Sequence, residues 1–149
     1  RYSFFQECGI RWYRTMNLTD EEREALVIAR KARAFDTWEE TKGIVECGYW
    51  HAAANRMYYA CFYTVFVLLI KNGFQASTHS GVIRLLGLHF VSTGIISKDL
   101  GRFYSKLFEL RQSGDYDDWI VIDANEILPL MDSVDNYLNT LLSLIEGKA

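Results

Sequence analysis

Arg111 ends an apolar stretch, and two groups that could work with it, Asp115 and Tyr116, follow within five residues in "FELRQSGDYDDW", residues 108–119. A guanidinium offers a planar fork of donors suited to a phosphate or a carboxylate. Asp115 can pair with that fork, and a tyrosine hydroxyl, with an ordinary pKa of about 10, takes part in proton transfer only when activated. Leu100, Tyr104, Leu107 and Arg111 repeat at offsets of four, seven and eleven, which is one face of a 3.6-residue helix. Arg111 therefore points where the apolar residues point, and a charge facing a core must be paired. Asp115 supplies that pair directly if the helix continues through Gly114. If the helix stops near Ser113, as the glycine predicts, Asp115 turns inward from a loop.

A second set of polar residues lies in "HAAANRMYYACFY". His51, Asn55, Tyr59 and Tyr63 share one line at four-residue spacing, and Arg56 follows Asn55 in a segment with little room for exposed polar groups. These residues predict a polar network joining this helix to the one that carries Arg111. One use of such a network is to fix helix register. The other is to let Arg111, with Asn55, Arg56 and Tyr59, hold a phosphate or nucleotide. His79, in "STHS", is a candidate base if the fold brings it to Arg111, although a loop histidine is more often a surface residue or a helix-start cap. His89 has no motif around it.

The elements that must position these groups read as helices throughout. The first spans residues 20–47, with Thr19 as N-cap, Glu22 completing a capping box and Ile28, Ala32, Phe35 and Trp38 on its inner face. The second spans residues 49–71, is apolar nearly all round and stops at Asn72-Gly73, which marks it as the central helix. A shorter third helix covers residues 80–91, and a fourth covers residues 98–113. The last starts after Asp123 with Ile127, Met131, Val134, Leu138, Leu141 and Ile145 on one stripe, its first turns made irregular by Pro129. Short connections between such helices predict an all-α, up-and-down bundle of four to five antiparallel helices.

Composition fits one domain of 149 residues, half of them apolar and 15% aromatic. A net charge of -3 gives no bulk attraction for nucleic acid, so RNA binding would need a local basic patch. Cys8, Cys47 and Cys61 form no C-x-x-C pair, which fits reduced thiols in a cytoplasm better than a disulfide scaffold. The apolar run at residues 58–70 is shorter than the roughly 20 residues of a membrane span, so a buried helix and no membrane are expected. No metal-ligand spacing, Gly-rich phosphate loop or G-x-S-x-G elbow occurs, and no metal or cofactor is expected. Residues 1–15 read as an extension without a signal-peptide pattern: either extra sequence before an initiator at Met16, or an arm whose aromatics pack on a single domain of residues 16–149.

In order, "AAANRMYYACFYTVFVLLIKNG", "THSGVI" and "LFELRQSGDYDD" resemble the HEPN superfamily, over residues 20–146. The likeness is greatest to its small stand-alone branch, with an N-R-x-Y-Y-A helix and an R-x-x-x-D-Y motif. The resemblance implies a helical bundle, a homodimer, and a minimal nucleotidyltransferase as partner, as in prokaryotic toxin–antitoxin pairs. It also implies RNA or nucleotide as ligand. Many such proteins are metal-independent ribonucleases whose motif is Arg, four to six residues, then His. Arg111 matches the arginine, but residues 112–119 contain no histidine. A histidine suits the base role because its pKa lies near 6.5, whereas Asp115 beside Arg111 is expected to stay ionised. The expectation is therefore a partner subunit of a nucleotidyltransferase. The alternatives are a ribonuclease using Arg111 with His79 or Tyr116, and a non-catalytic structural adaptor. In some pairs the partner transfers nucleotide to a tyrosine near this motif, and Tyr116 is the matching acceptor.

Overall fold

The computed structural model describes residues 18–147. The extension at residues 1–15 and the initiator at Met16 lie outside the described residues. Helix α1 (Asp20–Glu46) opens on the expected capping box: Thr19 Oγ1 accepts from Glu22 N at 3.1 Å, and Glu22 Oε2 accepts from Thr19 N at 2.8 Å. Of the expected inner face only Trp38 is buried. Val27, Ala34, Thr37, Trp38 and Thr41 are buried. Ile28 and Phe35 are 62% and 50% exposed, and Ala32 is exposed too. Two threonines explain the mistaken phase. Thr41 Oγ1 donates to the Thr37 carbonyl at 2.6 Å, so a hydroxyl sits inside with its bond made, where apolar spacing alone would place a hydrocarbon.

Helix α2 (Trp50–Lys71) is the centre of the bundle and touches every other α-helix among the described residues. All of residues 57–70 are buried. The helix is long and apolar enough to cross a membrane, but 89% of its apolar window is buried inside the bundle. It ends as expected at Asn72, followed by Gly73 at φ 80°, a left-handed conformation that favours glycine.

Helix α3 (His79–Leu86) is capped by Thr78, whose hydroxyl accepts from Gly81 N at 2.9 Å. The expected continuation to residue 91 is a π-helical turn, Gly87–Val91, rather than α-helix. Its wider turn buries Phe90 while His89 stacks on Phe74 with ring centroids 3.8 Å apart.

Helix α4 (Lys98–Tyr116) starts at the Ser97 cap and runs three residues past its expected end. Gly114 lies inside it, and the reason is packing. A Cβ there would stand 2.6 Å from Ile122 Cδ1, so the glycine lets the following segment fold back closely on the helix. After Asp123, the short helix α5 (Ala124–Ile127), a 3-10 turn (Leu128–Leu130) holding Pro129, and α6 (Met131–Ile145) complete the helices among the described residues. The expected irregularity at Pro129 is present, and Ile127, Val134, Leu138, Leu141 and Ile145 are buried as their stripe requires. Among the described residues there is no strand, and the fold is an all-α bundle.

Candidate functional site

The last two turns of α4 lie against the first turns of α2, and the Arg111 side chain is fully covered there. Its Nε lies 3.1 Å from Asp115 Oδ2, and Asn55 Nδ2 donates to that same oxygen at 3.1 Å. The Asp115 side chain keeps 29% of its surface exposed, so the carboxylate forms the outer layer of the site. Inward, the guanidinium carbon stands 5.7 and 5.2 Å from the ring centroids of Tyr58 and Tyr59. A desolvated cation is held here by a carboxylate on one side and two aromatic rings on the other.

His79 is no surface residue. It is 2% exposed, and its Nδ1 lies 2.7 Å from the Tyr58 hydroxyl, which in turn lies 3.2 Å from the Tyr104 hydroxyl. Its ring packs among Tyr58, Tyr59, Phe62 and Phe108, with centroids 4.9–5.9 Å away. Burial, and then the nearby charge of Arg111, lower its pKa to about 3. Burial likewise pushes the Tyr104 and Tyr137 hydroxyls and the Cys61 thiol upward. At neutral pH all these groups are neutral, and the cluster around Arg111 carries one cation balanced by Asp115.

The other expected members are distributed around this centre. Arg56 touches the Tyr59 ring, with its guanidinium carbon 5.5 Å from the centroid, and its Nη2 donates to Thr37 Oγ1 at 3.4 Å. Arg56 is therefore joined to the site through Tyr59. Tyr116 is 57% exposed. Five residues past Arg111, it projects about 140° away around the helix. His51 sits at the rim, where Nε2 accepts from Ile122 N at 3.3 Å. The sequence reading missed Tyr58 as the link between His79, Tyr104 and Arg111. Tyr58 and Tyr59 are adjacent, and only Tyr59 fell on the recognised polar line.

A buried, aromatically backed arginine thus joins α2 and α4 of an all-α bundle. The family model for the HEPN domain matches residues 28–144, and the chain belongs to this family. A UPF0332 protein of Thermotoga maritima is 34% identical over 125 residues, covering 84% of this chain and 95% of the relative. "Putative toxin MJ0142" of Methanocaldococcus jannaschii is 27% identical, covering 72% of this chain and 73% of the relative. "Putative toxin MJ0605" of the same organism is 39% identical over 64 residues, covering 43% of this chain and 48% of the relative.

Proposed function

We propose that this HEPN protein is a homodimeric subunit that works beside a minimal nucleotidyltransferase in a toxin–antitoxin-type system. Its Arg111 site holds a phosphate or nucleotide and does not cleave RNA. One observation carries the second half of the reading: the histidine in the Arg111 cluster is buried, and its pKa is lowered to about 3. Such a group takes no proton from a ribose hydroxyl near neutral pH. Asp115 is engaged with Arg111 and Asn55. The toxin names of the two Methanocaldococcus relatives support the system.

A phosphate reaches Arg111 by displacing Asp115, the partly exposed layer, and then takes over the Asn55 amide as well. Removing the competing charge with Asp115→Asn therefore strengthens nucleotide binding by about tenfold, and Arg111→Ala abolishes it. Titration calorimetry with nucleoside triphosphates on folded variants measures both. Equal binding by wild type and Arg111→Ala sinks the assigned site. Co-expression with a minimal nucleotidyltransferase of the same organism tests the partner, and two proteins that purify independently count against it.

The ribonuclease reading draws on the closeness of His79 to Arg111 and on the same toxin names. It predicts RNA cleavage in chelator by the wild type and none by Arg111→Ala. Cleavage by neither protein retires it.

A further inference from the structure

Arg56 is a cation without a counter-charge. It is half-buried, yet no carboxylate pairs with it among the described residues. Its Nε is buried without an acceptor, and its Nη2 has the Thr37 hydroxyl at 3.4 Å. That is long for a guanidinium, whose bonds to an anionic oxygen run about 2.7–2.9 Å. Arg111, by contrast, is balanced by Asp115. Both guanidinium groups stand over the Tyr59 ring, the Arg56 carbon 5.5 Å and the Arg111 carbon 5.2 Å from its centroid. Two cations thus share one ring and one carboxylate, and the surplus charge is on Arg56. A buried donor left unmade is costly, and an anionic acceptor from outside the chain removes that cost.

The first two turns of α2 are open to solvent where Arg56 lies. His51 and Ala52 are exposed, and Asn55 and Arg56 are half-buried. These four residues share one face of the helix, and Tyr59 lies one turn farther along it, covered. Thr37 of α1 meets Arg56 on one side of that face, and Asp115 of α4 meets Asn55 on the other. The face is therefore the floor of a cleft between α1 and α4. Helix α2 starts there with no acidic residue in its first turn and no side-chain cap, so the positive end of its macrodipole adds to the two guanidinium groups.

We infer that Arg56 is a second phosphate subsite and that the ligand of this cleft is the diphosphate end of a nucleotide, its terminal phosphate on Arg111 and Asn55 and the phosphate before it on Arg56. The inference rests on the Arg111 site proposed above and names the class of its ligand. The two guanidinium carbons are at most about 11 Å apart, because each lies over the same ring. Two phosphates joined by one oxygen, each accepting from one planar fork, bridge such a gap. A single phosphate seated on Arg111 and Asn55 leaves Arg56 as it is. Arg111 is fully covered and is reached past Asp115, which suits a terminal phosphate with a free end better than an internal phosphate of an RNA strand. A net charge of -3 gives no bulk attraction for a long polyanion either.

Titration calorimetry with inorganic phosphate, pyrophosphate, AMP and ADP at one ionic strength tests the second subsite. The wild type binds pyrophosphate and ADP about tenfold or more tighter than phosphate and AMP, a comparison that needs no variant. Arg56→Gln, verified as folded by circular dichroism, binds AMP as the wild type does and loses the preference for ADP. Arg56→Lys, which keeps the charge without the fork, retains part of it. Equal affinity of the wild type for AMP and ADP overturns the second subsite and leaves the Arg111 reading standing. An Arg56→Gln variant that weakens both nucleotides equally overturns it too, because Arg56 then serves the first phosphate or the packing of the cleft. If none of the four ligands binds the wild type, the Arg111 reading fails and this one with it. A single-stranded RNA without terminal phosphates that binds more tightly than ADP, and depends on Arg56, assigns the cleft to a nucleic-acid backbone and overturns the diphosphate.

Discussion

At the scale of single residues, the Arg111 centre combines a costly charge with a proton-poor surrounding. Arg111→Ala removes a buried cation and leaves the Asp115 carboxylate, 29% exposed, without its pair. Because that carboxylate can be hydrated, the loss should be about 2–4 kcal/mol, at the low end for a broken buried pair, and denaturant titration measures it. His79 gives a pH signature with a definite sign. Its folded pKa of about 3 lies below the ordinary 6.5, so between these values the unfolded chain takes up a proton that the folded chain refuses. Stability from this group is complete above pH 6.5 and declines as pH falls toward 3. His79→Gln should be less stable than wild type at pH 7, yet its melting temperature should fall less steeply over that window. Equal slopes for the two proteins would place the acid sensitivity elsewhere.

At the scale of elements, Gly114 sets how closely the segment after α4 can return. Alanine there gains up to about 1 kcal/mol in helix propensity but overpacks against Ile122, at a cost of about 1–3 kcal/mol. The contact would be made at 2.6 Å with Ile122 Cδ1, a side chain only 2% exposed. Gly114→Ala should therefore be neutral to destabilising. Adding Ile122→Val, which deletes the clashing methyl, should recover stability relative to Gly114→Ala. A double-mutant cycle with no coupling would show that the close approach is unimportant.

At the scale of the whole molecule, α2 organises the bundle, and a few polar links fasten the outer helices to one another across it. Trp38 Nε1 donates to Asp135 Oδ1 at 3.0 Å, joining α1 to α6, and Lys31 pairs with Glu146 at 2.6 Å farther along the same two helices. The lysine pair lies at the surface, its side chains 29% and 34% exposed, and should contribute little. Trp38 is 5% exposed, and its bond is the stronger clamp. Trp38→Phe keeps most of the ring's packing and loses the bond, which should cost about 1–2 kcal/mol and lower the melting temperature by several degrees. Lys31→Ala should leave it nearly unchanged. Scanning calorimetry separates the two.

The sequence alone determined the helices, the central place of α2 and the inward direction of Arg111, because each is written in short-range signals. The Thr19–Glu22 cap, the Asn72-Gly73 stop and the spacing from Leu100 to Arg111 all act within a few turns of one helix. Asp115 could be named as a companion of Arg111 for the same reason, and Asn55 because a polar group in the central helix needs a partner. Only the tertiary structure decided that α4 continues through Gly114, since the glycine answers to Ile122, which reaches it by folding back. The inner face of α1 was decided there too, because Thr37 and Thr41 are admitted to the core by bonds that apolar spacing does not register. His79 is the sharpest case. Its sequence context is that of a surface loop, and burial among aromatic rings from two other helices, beside the charge of Arg111, turns it into a neutral core residue.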